Sequence, residues 1–123
     1  MNQGFKDLNV WKKCRELRLT ISELTKVFPS NEKYRLVDQM IRASRSVTAN
    51  IAEGYGRYHF QESIQYTRQS RGSLTELADH VTVALDEKYI DVQTAEELEL
   101  QITECLKLVN GYINYLKKLK TDS

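Results

Sequence analysis

The sequence predicts an all-α protein folded as an antiparallel up-down four-helix bundle, and three observations predict it. Apolar residues recur at steps of three and four through four successive segments, a period that belongs to a helix face and excludes a strand. The 123 residues include one Pro and five Gly, so little interrupts those segments. The connections between them are short, which makes consecutive helices antiparallel neighbours.

The first stripe, Leu8, Trp11, Cys14, Leu17, Ile21, Leu24 and Phe28, predicts a helix from Asp7 to Val27 that Pro29 halts. Ser30 or Asn31 is expected to cap the next helix, with Glu32 in its first turn, where the macrodipole favours a carboxylate. The second stripe is Leu36, Met40, Ala43, Val47 and Ile51, closed by Gly54, read as a left-handed C-terminal cap. A third helix carries Ile64, Thr67, Leu74, Leu77, Ala78, Val81 and Leu85 and ends near Glu87 or Lys88. Thr94-Ala-Glu-Glu97 has the form of a capping box. The fourth helix follows with Leu98, Ile102, Cys105, Val109, Ile113, Leu116 and Leu119, its tail KKLKTDS setting lysines against the negative end of the dipole.

With 41% hydrophobic residues, the chain is expected to be one domain over residues 1–123, able to bury a core without disulfide or metal support. No run approaches about 18 apolar residues. The start, MNQGFKDLNVWKK, lacks the apolar centre of a secretory signal, so a soluble, cytoplasmic protein with no membrane attachment is expected. Cys14 and Cys105 each fall on an apolar stripe and read as reduced core residues. The net charge of +1 conceals an asymmetry: residues 1–75 carry net +6, residues 76–109 net −7, and the last fourteen net +2. Such a chain can seat a charged partner or pair its own halves.

The chemistry-bearing motifs give no catalytic reading. A di-iron bundle needs paired Glu-x-x-His motifs, yet the two histidines, His59 and His80, do not follow a Glu by three. His80 lies beside Asp79 on an acidic helix, where a solvated or rim-packed role outweighs that of a general base. Gly54-Tyr-Gly56 follows a helix, and the third Gly of a dinucleotide fingerprint is replaced by His59, so a turn outweighs a phosphate loop. No enzyme activity and no cofactor are expected.

Two sets of residues carry more. Helix two is rich in small residues (Ala43, Ser44, Ser46, Ala49, Ala52, Gly54), and helix three carries Ser70, Gly72 and Ser73. Gly72 costs a helix about 1 kcal/mol relative to Ala, and close approach of another backbone is the expected compensation. Asn50 lies at or beside the seam, with Glu53 and Glu76 expected to flank the same level if helices two and three are antiparallel, and a satisfied polar group there can fix register. The other set is basic: Arg42 and Arg45 on helix two, Arg57 in the turn, Arg68 and Arg71 on helix three, with Tyr55, Tyr58 and Tyr66 interleaved. Arginines among aromatics hold phosphates and stack bases, though the same composition marks protein interfaces. For Arg42, pairing with Asp38 on a solvated face is an equal alternative, and Arg71 falls at the edge of the seam.

FKDLNVWKKCREL, FPSNEKYRLVDQMIRAS, NIAEGYGR, RGSLTEL and the LDEKYI turn, taken in order over about residues 5–120, resemble the bacterial four-helix-bundle proteins encoded in intervening sequences of 23S ribosomal RNA genes. Relatives include the accessory variability protein of diversity-generating retroelements. The resemblance implies the bundle and a ring-shaped homopentamer; the retroelement relative binds nucleic acid through a basic surface and contacts a reverse transcriptase. It assigns no catalytic residues, and implies for Asn50, Glu53, Gly54, Gly56, Gly72, Ser73 and Glu76 structural or assembly roles. Two positions depart from the family pattern: Thr48 stands where a Pro is usual, and His59 where many members cap helix three with Ser. The expected function is a non-enzymatic homo-oligomer, pentameric by that resemblance, that binds RNA or DNA through Arg42, Arg45, Arg57, Arg68 and Arg71, with a protein such as a reverse transcriptase as a further partner. The alternative is a protein-binding scaffold without nucleic-acid activity.

Overall fold

The computed structural model describes residues 4–122. It contains four helices: α1 Asn9–Thr25, α2 Leu36–Tyr55, α3 Phe60–Asp86 and α4 Val92–Asp122. Cross-helix contacts fix their directions. Ser70 Oγ donates to the Val47 carbonyl at 2.8 Å and the Ser46 and Ser73 hydroxyls meet at 2.8 Å, so α2 and α3 run antiparallel. Arg71 reaches Asn110 and Lys120 reaches Gln61, which sets α3 against α4 in the same sense. Lys13 with Glu104, and Thr20 with Gln101, do the same for α1 and α4. The result is the up-down bundle that the apolar spacing predicts.

Each stripe supplies one side of a single core. Leu17 and Ile21 meet Met40, Val47 and Ile51 from α2, Ile64, Leu74, Leu77 and Val81 from α3, and Ile102, Val109 and Ile113 from α4. Helices α2 and α3 pack most extensively, followed by α3 and α4, while α1 lies more thinly on α4. Cys14 and Cys105 are buried free thiols between α1 and α4; the hydrogen bond with Cys105 first, and then burial, push the Cys14 thiol above its ordinary range. Among the described residues, every buried side-chain nitrogen and oxygen has a hydrogen-bond partner.

The helix ends depart from the sequence reading. Residues Gly4–Asp7 form a 3-10 turn and α1 begins only at Asn9, with Gly4 in the left-handed region at φ +69°. Ser30 and Asn31 do not cap α2: they lie in a second 3-10 turn, Ser30–Glu32, and α2 starts at Leu36 after Arg35, without a side-chain cap. Gly54 is no C-cap either, since α2 continues to Tyr55 and Gly56 follows in the right-handed region. What Gly54 provides is a close crossing, because a Cβ there would lie 3.0 Å from the Ser63 carbonyl oxygen and 3.1 Å from Tyr66 Cβ. Gly72 is the reverse case: it is exposed, and a Cβ would meet nothing within 4 Å. The expected close approach at Gly72 is not made within the chain.

Helix α3 ends in a Schellman motif, with the Tyr89 N–H bonded to the Ala84 carbonyl and the Lys88 N–H to that of Leu85. Lys88 takes the left-handed position at φ +63° that glycine usually fills. This turn delivers Asp91 as the cap of α4: its Oδ1 accepts the Thr94 N–H at 2.8 Å, which holds its carboxyl below the usual range. The Thr94–Glu97 capping box is therefore not formed, and Glu97 accepts from Gln93 instead. Among the described residues no helix is long and apolar enough to cross a membrane.

Candidate nucleic-acid interface

The five arginines do not converge. Arg42, on the outer face of α2, pairs with Asp38 at 2.9 Å, an exposed i,i+4 pair of the kind worth about 0.3–0.5 kcal/mol. Arg57 is consumed by the corner between α2 and α3. Its Nη2 donates to Glu53 Oε1 and to Tyr66 Oη, both at 2.6 Å, and Nη1 lies 3.6 Å from Glu62. The guanidinium stacks over the Tyr66 ring at 4.7 Å. The Glu53 hydrogen bond first, then the surrounding negative charge, raise its pKa above the ordinary value. The corner is a clamp that joins the end of α2 to the first turns of α3.

Arg68 and Arg71 face α4. Arg71 Nη1 donates to Asn110 Oδ1 at 3.1 Å, and Arg68 lines a groove of about 420 Å³ with Gln61, Ile64, Lys117 and Lys120. Arg45 faces the opposite way, toward α1, so α2 and α3 carry their cations to different sides of the molecule. The assembly positions are likewise separate. The α2/α3 register puts Asn50 far from Glu76, and Asn50 Nδ2 donates to Ser46 O and Oγ, continuing the Ser46–Ser73 contact. Glu53 belongs to the Arg57 clamp and Glu76 hydrogen-bonds His80 at 3.0 Å, so the two do not flank one level as the sequence suggested. His59 precedes α3 without a side-chain cap bond, and α2 runs unbroken through Thr48.

A second set of basic residues lies along α1, which the apolar stripe marks as a core helix. Lys12, Arg15 and Arg18 are spaced by three, a row along one helix face. Arg18 Nη1 donates to Thr48 Oγ1 at 2.9 Å, and the Thr48 hydroxyl donates back to the Arg45 carbonyl at 3.2 Å. Arg18 and Arg45 thereby share a groove of about 510 Å³ between α1 and α2, walled by Phe5 and Trp11 and floored by Thr48, Ala49 and Ala52. On the other side of Trp11 lies a second groove of about 440 Å³ lined by Lys6, Lys12, Arg15 and Glu16. Among the described residues none of Lys6, Lys12, Arg15, Arg18 and Arg45 enters an ion pair. The signal that could have found this surface was the three-residue spacing, but its meeting with Arg45 depends on how α1 packs.

Residues 6–111 match the model of a family described as 23S rRNA-intervening sequence protein. The fold is similar to the crystal structure of a protein with unknown function from the S23 ribosomal protein family of Bacteroides thetaiotaomicron. The two share 23% identity and superpose with a TM-score of 0.79 over 85% of this chain and 95% of that one. No curated protein matches the sequence.

Proposed function

The chain belongs to the 23S rRNA-intervening sequence protein family, and from that premise we propose that it is a non-enzymatic, cytoplasmic, homo-oligomeric module that binds RNA or DNA. The observation that carries this reading is the pair of grooves around Trp11. Among the described residues five cations there lack carboxylate partners, while Arg42, Arg57 and Arg71 are occupied within the chain. Unneutralised cations beside an aromatic ring are the composition that tracks a phosphate backbone. The resemblance to the retroelement accessory protein supports the pentameric ring and a reverse transcriptase as a protein partner.

The outer face of α4 favours a second reading, that of a protein-binding scaffold. Glu96, Glu99 and Thr103 surround Leu100, which is 71% exposed, an acidic and apolar patch of opposite sign to the α1 surface. Such a face suits a neighbouring copy or another protein.

The test is direct binding of labelled single-stranded RNA and DNA at low salt, with light scattering of the same samples. The proposal expects an oligomer that binds either nucleic acid and weakens steeply with salt. A monomer at micromolar concentration defeats the ring. Absence of binding, together with partners that survive nuclease treatment in affinity purification, favours the scaffold.

A further inference from the structure

Trp11 is the single tryptophan of the chain, and, like Leu8 and Leu24 on the same stripe, it is only partly buried. Val10, Cys14, Leu17 and Ile21 are buried, whereas Trp11 is half-buried, packed against the core at its inner side. Phe5 meets it edge-to-face, ring centroids 5.3 Å apart at 69°. That contact orients the indole, because an edge-to-face pair is the favoured aromatic geometry. Trp11 is also the residue common to both grooves, so it forms the ridge between them.

On one side of the ridge stand Arg18 and Arg45, on the other Lys12 and Arg15. The Thr48 bond uses one donor of Arg18 and leaves the rest of its five N–H groups for a ligand. The small side chains of Ala49 and Ala52 keep the floor of the first groove low. A nucleotide has the matching chemistry: a flat base to stack on the indole and phosphates on either side to meet the cations. In a duplex the base faces are already stacked on one another, so an aromatic platform of this kind selects an unpaired strand.

We propose that Trp11 is the stacking platform for a base of a single-stranded nucleic acid, with Arg18 and Arg45 holding the backbone on one side and Lys12 and Arg15 on the other. This rests on the nucleic-acid reading above and assigns it a place and a strand type.

Because Trp11 is the only indole, its fluorescence reports this site alone. The full-length protein is titrated with oligothymidylate and oligouridylate of about 20 nucleotides, and with a duplex of equal phosphate number, while anisotropy of the labelled nucleic acid follows binding independently. The expected result is quenching of Trp11 that saturates with the single strands at the stoichiometry seen by anisotropy, and little quenching by the duplex. Trp11→Leu is expected to lower single-strand affinity by about 5- to 100-fold with the salt slope unchanged, since no charge is removed, and Trp11→Phe to retain most of it. Binding by anisotropy with unchanged fluorescence overturns the proposal but leaves the nucleic-acid reading standing, with the Arg68, Lys117 and Lys120 groove as its site. No binding by either measurement sinks both. A fluorescence change that follows protein concentration without nucleic acid also overturns it, assigning the groove to a second copy. The quenching is read on the unaltered protein, so the outcome does not depend on how well the variants fold.

Discussion

Gly54, in the last turn of α2, and Gly72, in the interior of α3, are predicted to respond to the same substitution with opposite sign. At Gly72 an alanine Cβ enters open space, so Gly72→Ala gains the full helix-propensity difference of about 0.8–1 kcal/mol. At Gly54 the new Cβ would lie 3.0 Å from the Ser63 carbonyl oxygen and 3.1 Å from Tyr66 Cβ. Neither neighbour is the far end of a flexible chain, so α3 itself must move. Overpacking of that kind costs about 1–3 kcal/mol against a propensity gain of at most about 1 kcal/mol, so Gly54→Ala is expected to be destabilised by up to about 2 kcal/mol. For a domain of this size 1 kcal/mol moves Tm by about 4 °C, so Gly72→Ala should melt about 4 °C above the parent and Gly54→Ala below it, by up to about 8 °C. Thermal unfolding followed by circular dichroism at one fixed protein concentration reads both, the concentration being held because assembly would shift Tm by mass action. If Gly54→Ala melts at or above the parent, the close α2/α3 crossing is refuted. If Gly72→Ala is destabilised, the open space at Gly72 is filled by a neighbouring copy, and a single chain is the wrong frame for that helix face.

Three further outcomes test the turns and the arginine assignments. Lys88→Gly should stabilise the fold by about 0.5–1 kcal/mol by relieving the left-handed strain in the Schellman turn, seen as a higher urea midpoint with unchanged slope. Asp91 has its folded pKa lowered by the Thr94 N–H, so its contribution is present above the unfolded value of about 3.9 and is lost as pH falls through the folded value; Asp91→Asn should flatten the acid limb of the Tm-versus-pH curve, while Glu97→Ala should leave it alone. Arg57→Ala should lower Tm yet leave nucleic-acid affinity and salt dependence unchanged, because its guanidinium is committed to Glu53 and Tyr66; a drop in affinity without a drop in Tm would return Arg57 to the binding surface.

The helices were legible because a period of 3.6 depends only on local geometry: Leu36, Met40, Ala43, Val47 and Ile51, read as one stripe, are all buried. Their ends were less so. Whether Asp91 or Thr94 caps α4 is decided by where the preceding turn lands, and that turn hinges on Lys88 adopting a conformation its residue type does not advertise. Gly54 and Gly72 look alike in sequence, since only the neighbouring helix distinguishes a tight crossing from open solvent. The same limit governs the basic residues. Arg42, Arg45, Arg57, Arg68 and Arg71 are close in sequence, but the bundle directs Arg45 toward α1, Arg71 toward α4 and Arg57 into its own corner. Trp11 was legible as a stripe residue, while its place between two clusters of unpaired cations needed α1 and α2 side by side.

The most direct test is the salt dependence of single-strand binding. If the five unpaired cations of the α1–α2 surface each neutralise a phosphate, log Kd against log salt should have a slope of about 3.5, so affinity falls by about 100-fold between about 50 and 200 mM salt. Replacing Arg18 and Arg45 together by Ala should reduce that slope to about 2. A parent slope below about 1, or one that the double substitution leaves unchanged, would contradict the assignment of this surface to nucleic acid.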